Sequence, residues 1–268
     1  MIVVVKVGGD LLANGLSKEL IDELEALKKE HQVVLVHGGG DIVTEISNKL
    51  GHEPKFVTSP RGFRSRYTDK ETAEIYTMVM AGKINKEIVS ALQKRGIAAV
   101  GLSGLDGSLM RAKRKKQLII VDERGRKRVI DGGYTGQVEQ VNTVLLRILL
   151  ENEYMPVIAP VAIGEEAEPL NVDGDRTAAS VASALKADRL VLLTDVEGVY
   201  LNEKLINNLH ISEAKEVMNN VGAGMITKVY AAVEAIEGRV GEVVIASGLG
   251  KEAISSALAH KSGTVIHR

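Results

Sequence analysis

Met1-Ile-Val-Val-Val-Lys6-Val-Gly8-Gly9 opens the chain, an apolar β-branched run that carries one lysine and stops at a glycine pair. A strand buried on both faces of a parallel sheet reads this way, because no solvent face imposes a polar alternation. The glycines let backbone N–H groups come close to a ligand. The same pattern returns at Val33-Val-Leu-Val-His37-Gly38-Gly39-Gly40, which leads into the helical stretch Asp41-Ile-Val-Thr-Glu-Ile-Ser-Asn-Lys-Leu50. Far downstream, Gly222-Ala-Gly-Met-Ile-Thr-Lys228 supplies a second lysine beside glycines. Two glycine loops at strand ends, with two lysines, suit a site where a phosphoryl group moves.

Outward from that stretch, strand, turn and helix alternate. Residues 17–29 place Leu20, Ile21, Leu24 and Leu27 at helical spacing behind Ser17, an N-cap residue type. The spacing predicts a long helix over 71–94, a strand from Ile97, a helix over 141–150 and a strand at Pro156-Val-Ile-Ala-Pro160. Residues 109–138 change period and predict an antiparallel excursion, with a hairpin turning at Asp122-Glu-Arg-Gly125. After Asn171 the α/β order resumes: a helix over 175–185, the strand Arg189-Leu-Val-Leu-Leu-Thr194, and a helix ending near Asn220. The 222–228 turn, a helix over 229–237 and two closing strands complete it. This succession predicts an α/β, three-layer αβα sandwich on a mainly parallel sheet. No linker divides the chain, so any two lobes, 1–166 and 167–268, share one continuous sheet.

Composition narrows the function classes. The 268 residues suffice for a sizeable core. A net charge of −1 gives no global attraction to nucleic acid or anionic membrane. Absence of cysteine rules out disulfides, thiolate catalysis and cysteine-bound zinc. The start at a core strand and the lack of a long apolar run lead us to expect a cytoplasmic protein.

Six features bear on the chemistry. Neither glycine loop fits the P-loop or the dinucleotide-binding spacing, so this is a phosphate cradle of another kind or none. Lys6 in a doubly buried strand needs an anion, unless its head reaches water. A lysine near a helix start opposes the dipole, and for Lys228 that makes better sense if it and the helix face one anion. Asp175, in Asn171-Val-Asp-Gly-Asp175, is either an N-cap or a carboxylate pairing with both lysines. Arg64 lies in Arg61-Gly-Phe-Arg64-Ser-Arg66, read as a basic loop between helices, and arginine is the natural fork for a carboxylate. The run Arg111-Ala-Lys113-Arg114-Lys115-Lys116 concentrates charge in a nearly neutral chain. It is a solvated turn or a docking patch for an acidic partner; the scarcity of aromatics disfavours a single-strand nucleic-acid reader.

Together these residues resemble the amino-acid kinase family, in its N-acetylglutamate kinase branch. The resemblance runs through Lys6-Val-Gly-Gly, His37-Gly-Gly-Gly, Gly62-Phe-Arg64, Asn171-Val-Asp-Gly-Asp175, Leu193-Thr-Asp195-Val-Glu-Gly and Gly224-Met-Ile-Thr-Lys228. It implies ATP and Mg²⁺, with the acceptor on the N-terminal half and nucleotide on the C-terminal half. Lys6 and Lys228 would then stabilise charge on the transferring group, and Asp175 would organise them. Gly8, Gly9, Gly39 and Gly40 would cradle phosphate and acceptor through their N–H groups, while Arg64 and Asn171 hold the acceptor's α-carboxylate. Thr194, Asp195, Gly198, Tyr200, Gly222, Gly224 and Met225 would line the nucleotide. No dedicated metal carboxylate stands out, so Mg²⁺ would ride chiefly on phosphates and water.

Within the branch the chain is similar to kinases that phosphorylate L-2-aminoadipate or L-glutamate attached through the amino group to a small acidic carrier protein. Phe63-Arg64-Ser-Arg66-Tyr67 stands where enzymes using free N-acetylglutamate are expected to carry a Leu-Arg-Val-Thr kind of sequence. Residues 111–116 offer the carrier a basic surface. Arginine-inhibited members carry a helix ahead of the first strand; its lack here leads us to expect a plain homodimer. Free N-acetylglutamate is the alternative acceptor, and carbamate, uridylate, aspartate or isopentenyl phosphate are more distant ones. A non-catalytic nucleotide sensor would be expected to lose Lys6, Asp175 or Lys228, and all three are present.

Overall fold

The computed structural model describes residues 1–218 and 220–268. The chain begins with β1 (Ile2–Val7), α1 (Lys18–Glu30), β2 (Gln32–His37) and α2 (Gly40–Lys49). A hairpin of β3 (Lys55–Thr58) and β4 (Arg64–Tyr67) precedes α3 (Lys70–Thr77), a π-helical segment (Met78–Ile84) and α4 (Asn85–Lys94). β5 (Ala99–Leu102) leads to β6 (Met110–Arg114), the hairpin β7 (Gln117–Val121) and β8 (Lys127–Asp131), and β9 (Gly136–Val141). Then come α5 (Thr143–Glu151), β10 (Met155–Ile158), β11 (Val161–Ile163) and β12 (Pro169–Asn171). The C-terminal part holds α6 (Gly174–Leu185), β13 (Arg189–Thr194), the short pair β14 (Tyr200–Leu201) and β15 (Lys204–Leu205), β16 (Asn208–His210) and α7 (Ile211–Val217). It closes with α8 (Ala223–Glu237), β17 (Glu242–Ser247), α9 (Ala253–Leu258) and β18 (Thr264–His267).

The main sheet runs β16-β18-β17-β13-β1-β2-β10-β5, parallel except where β18 meets β17. β1 sits near its centre, paired with β2 on one side and β13 on the other. Strands of the N-terminal and C-terminal parts thus share one hydrogen-bonded surface. Side-chain alternation assigns β1 to two cores. Val3, Val5 and Val7 pack with α1, α2, α4 and α9 through Leu20, Val43, Ile88 and Ile254. Val4 packs on the opposite face with α6 and α8 through Val181, Leu185, Val229 and Ala232. Lys6 shares Val4's face, which carries it under the two helices that hold Asp175 and Lys228.

Some boundaries differ from expectation, each for a local reason. The helix over 71–94 is helical throughout but widens to a π-turn in the middle. The helix expected from 141 starts at Thr143, because Asn142 caps it by accepting from the Val144 N–H while Val141 still pairs with Met110. The α6 cap is Asp173, which accepts from the Arg176 N–H, so Asp175 is not the cap and its carboxylate is free. α7 closes at Val217, ahead of the expected end near Asn220, and α8 starts at Ala223, so Lys228 stands in the second helical turn and not before the helix. The basic loop around Arg64 is a β-hairpin, with Arg64 and Arg66 opposite Thr58 and Phe56. The antiparallel excursion holds the β7–β8 hairpin and the antiparallel pair β6–β9, which β11 and β12 from beyond it extend into a small sheet, β12-β11-β6-β9, with β11 parallel to β6.

Candidate active site

The two glycine loops touch each other. A Cβ on Gly9 would lie 2.9 Å from the Gly39 nitrogen, and one on Gly38 would lie 2.7 Å from the Gly9 nitrogen. Gly39 has φ of 142°, a conformation closed to other residues, and its missing Cβ makes room for Ile84. The glycines therefore permit loop-on-loop packing at the C-terminal ends of β1 and β2. Beneath them His37 is wholly buried. Asn85 Nδ2 donates to its Nε2 at 3.2 Å, and Nδ1–H donates to the Gly38 carbonyl at 2.9 Å. Burial pushes the imidazole pKa down to about 4, with Lys6 and Lys86 adding to the effect, so His37 is a neutral brace.

The charged centre lies beside these loops. Lys6 Nζ stands 2.7 Å from Asp175 Oδ1, and Lys228 Nζ donates to Asp175 Oδ2 at 3.1 Å. All three are largely buried. Burial raises the Asp175 pKa, but the two ammonium groups outweigh it and hold the carboxyl below its ordinary range. Burial opposes the Lys228 charge, and attraction to Asp175 more than compensates, raising its pKa. Within this trio one anion stands between two cations, an arrangement that can receive an anionic group, and Asp173 and Asp10 also act on the Lys228 charge.

A cleft of about 630 Å³ opens from this centre. Of the residues expected from sequence, Lys6, Gly9, Gly39, Gly40, Arg64, Asn171, Asp175 and Gly224 line it. Asn171 Nδ2 donates to Thr68 Oγ1 at 2.9 Å. Lys228 joins through Asp175. On the C-terminal side, Thr194 Oγ1 donates to Asp195 at 3.0 Å at the end of β13, and Gly8 N–H donates to the Leu193 carbonyl. Asp10, whose carboxyl is raised by burial and by a hydrogen bond with Asp41, also feels Asp195 and Lys228. Gly222 and Gly224, at the start of α8, have open space where a Cβ would point. Gly198 does not: a Cβ there would meet Thr264 Oγ1 at 2.7 Å, so packing alone requires that glycine. Tyr200 is exposed and donates to Glu197, and Met225 packs against the α6–α8 core.

The sequence profile of the amino acid kinase family matches residues 1–247. The chain belongs to the amino acid kinase family. A protein of Metallosphaera sedula named "[LysW]-aminoadipate/[LysW]-glutamate kinase" is 49% identical to it over 265 residues, covering 98% of this chain and 99% of that one. A protein of the same name from Saccharolobus solfataricus is 48% identical over 265 residues, 98% of each. In three dimensions the crystal structure of smu.665 from Streptococcus mutans superposes with a TM-score of 0.80 at 25% identity, over 99% of this chain and 98% of that one. This kinase uses ATP as its co-substrate, in keeping with the family, and its α/β architecture on a mainly parallel sheet is the family's.

Three features of the kinase's site were not legible as such in the sequence. The basic run 111–116 is not one surface. Strand alternation leaves Arg111 and Lys113 exposed, while Arg114 lies 4.1 Å over the Tyr134 ring and donates to the Gly133 carbonyl. Lys115 turns into the cleft, where burial and then Arg176 depress its pKa. Asn85 has no motif to announce it and is found only through the π-helical segment that sets it against His37. Arg66 is buried where Arg64 is exposed; a two-residue period would have placed both on one face had the segment been read as a strand.

Proposed function

We propose that this kinase transfers the γ-phosphoryl group of ATP to the side-chain carboxylate of L-2-aminoadipate, and of L-glutamate, whose amino group is attached to a small acidic carrier protein. The product is an acyl phosphate for lysine or arginine biosynthesis. The observation that carries this reading is near-half identity over essentially the whole length with two proteins so named. The nucleophile is ionised at neutral pH, so the reaction needs no general base. What it needs is alignment and charge stabilisation for a loose transition state.

In this reading Lys6 and Lys228 meet the oxygens of the transferring group, and Asp175 keeps the two ammonium groups apart and in place. N–H groups of Gly9, Gly39 and Gly40 face phosphate and acceptor, whereas the Gly8 N–H expected among them is spent on the Leu193 carbonyl; Arg64 and Asn171 take the α-carboxylate. The nucleotide lies over Thr194, Asp195, Tyr200, Gly222, Gly224 and Met225; Gly198 supports the loop through its packing on Thr264. The acceptor side is then 1–166 and the nucleotide side 167–268. Among the described residues no group of three or more His, Asp or Glu is placed to hold a metal, so the donor set does not form a protein cage for Mg²⁺. The ion belongs to the nucleotide's phosphates. Lys113 and Lys116 remain outside as carrier-docking residues with Arg111, Lys115 acts from within the cleft, and Arg114 is held on the Tyr134 ring. A homodimer in the cytoplasm completes the reading; among the described residues no helix is long and apolar enough to cross a membrane.

The test is ATP turnover with carrier-linked aminoadipate, carrier-linked glutamate and free N-acetylglutamate. Turnover confined to the carrier-linked acceptors supports the proposal. Equal turnover of free N-acetylglutamate replaces it with the arginine-pathway alternative.

A further inference from the structure

Asn85 follows the π-helical segment directly and is wholly buried. Hydrogen bonds at both ends of its amide settle which atom is which. Lys86 Nζ donates to Oδ1 at 3.0 Å, and Nδ2 donates to the Val157 carbonyl at 2.9 Å. Turned over, the amide would set its oxygen against a carbonyl and its N–H groups against an ammonium. The second Nδ2 hydrogen meets His37 Nε2 at 3.2 Å, so Nε2 is the bare nitrogen and Nδ1 carries the proton. Nδ1–H in turn donates to the Gly38 carbonyl at 2.9 Å.

That bond sets the direction of one backbone N–H group. A trans peptide is planar, with C=O and N–H on opposite edges, so a Gly38 carbonyl held on His37 turns the Gly39 N–H away from the ring. Gly39 lines the cleft, and among the described residues its N–H has no acceptor. A peptide between two glycines turns over at little steric cost, since neither side has a Cβ to oppose it. Gly38 N–H is tied to the Val7 carbonyl at 2.8 Å, and Ile84 fills the place of a Gly39 Cβ. Those contacts hold the loop's position; the imidazole holds the direction of the peptide.

We propose that Asn85 is a positioning residue: through the Nδ1–H form of His37 it aims the Gly39 N–H at the oxygens that gain charge in phosphoryl transfer. Asn85 itself touches no reacting atom. The π-turn serves this placement, since losing its extra residue would swing Asn85 about 100° round the helix. The inference rests on the role given above to the second glycine loop, and adds the relay that orients it.

The experiment joins nitrogen-15 NMR of the histidine rings in the whole enzyme to steady-state kinetics on the carrier-linked acceptors. At pH 7 the His37 signals, identified by their loss in His37→Asn, should show a protonated Nδ1 and a bare Nε2; the reverse pattern overturns the proposal. Asn85→Ala should move the ring towards its Nε2–H form and lower kcat about tenfold, less than deleting an oxyanion donor outright, with both KM values nearly unchanged. His37→Asn, whose amide nitrogen stands where Nδ1 does, should keep most of kcat. His37→Gln, whose amide stands where Nε2 does, should lose about as much as Asn85→Ala. An Asn85→Ala enzyme with a shifted tautomer and normal kcat, or with a lower thermal midpoint and an unshifted tautomer, overturns the positioning role. If Asn85→Ala does not fold, the His37 pair decides, and equal kcat in the two overturns it. No turnover of carrier-linked or N-acetylated acceptors by the wild type overturns the functional reading instead, a failure that the tautomer result does not share.

Discussion

Phe63, at the tip of the β3–β4 hairpin, packs edge-on against Tyr230 of α8, with ring centroids 5.7 Å apart and planes at 80°. Two residues from Tyr230 on α8 is Lys228, and next to Phe63 is Arg64. One aromatic contact thus joins the hairpin wall of the cleft to the helix that carries a central lysine. Arg176 stacks on the other side of the link, 5.1 Å from the Tyr230 ring centre, and is held by Glu234. An aromatic pair contributes about 0.5–1.5 kcal/mol beyond its buried area. Phe63→Ala should raise the acceptor KM several-fold with a small fall in thermal midpoint, and a double-mutant cycle with Tyr230→Ala should return coupling of that size. Independent effects on KM would show that the contact is only packing.

Asp175→Asn removes the anion between two buried ammonium groups. Breaking a buried ion pair typically costs about 3–5 kcal/mol, so the variant should unfold at a markedly lower denaturant midpoint as well as lose turnover. Lys6→Met leaves Asp175 with Lys228 still bonded to it, so its stability loss should be smaller, while kcat should fall about 10²–10³-fold, the scale of one lost electrostatic contact in a transition state. Chemical denaturation beside steady-state kinetics separates the two. A Lys6→Met variant with near-normal kcat would remove that lysine from the mechanism.

His37 sets the acid limit of the site. Its folded pKa of about 4 lies below the ordinary value of 6.5, so the fold favours the neutral ring. That stability is fully present above pH 6.5 and is lost as pH falls from there towards 4, by up to about 3 kcal/mol. Denaturant unfolding at pH 7, 5 and 4 should show this slope, and His37→Gln should flatten it. Equal slopes in both proteins would place the acid sensitivity elsewhere.

How far these relations could be read from the chain depends on their range. β1 and β2 announce themselves because burial on both faces leaves an uninterrupted apolar run, and the parallel order follows from the alternation of such runs with helices. Lys6, Asp175 and Lys228 were visible as candidates because charge at a buried or helix-start position has no local reason to exist. Their meeting was not, since it requires α6 and α8 to cross the same face of β1. The β3–β4 hairpin reads as a loop in the sequence because its strands are only four residues long and mostly exposed, and two arginines in β4 mask the two-residue period. The 111–116 run reads as uniform because charge count ignores where the strand stops: β6 ends at Arg114, and beyond it Lys115 turns into the cleft while Lys113 stays outside.

That division of the basic run predicts unequal effects. Lys115→Gln should lower kcat/KM on a carrier-linked acceptor about tenfold, as expected for a charge in a partly desolvated cleft. Lys113→Gln should act more weakly, and its effect should fade as ionic strength rises, since exposed charges are screened within roughly 8–10 Å. Kinetics of both variants at low and physiological salt test this. Matching losses with matching salt dependence would restore the picture of one continuous patch.

The glycines at the start of α8 separate a ligand role from a folding role. Gly224 is in the helix, and nothing lies within 4 Å of where its Cβ would be. Replacing it with alanine should therefore stabilise the protein, by up to about 1 kcal/mol, because glycine is the poorer helix former. If nucleotide phosphate approaches the N–H groups of this turn, the same methyl intrudes on the ligand, and the KM for ATP should rise while the acceptor KM stays put. Gly9→Ala must behave oppositely: its Cβ would meet the Gly39 backbone at 2.9 Å, so both stability and turnover should fall. Thermal midpoints and the two KM values for each variant decide the matter. A Gly224→Ala enzyme with a higher midpoint and an unaltered KM for ATP would move the nucleotide away from α8.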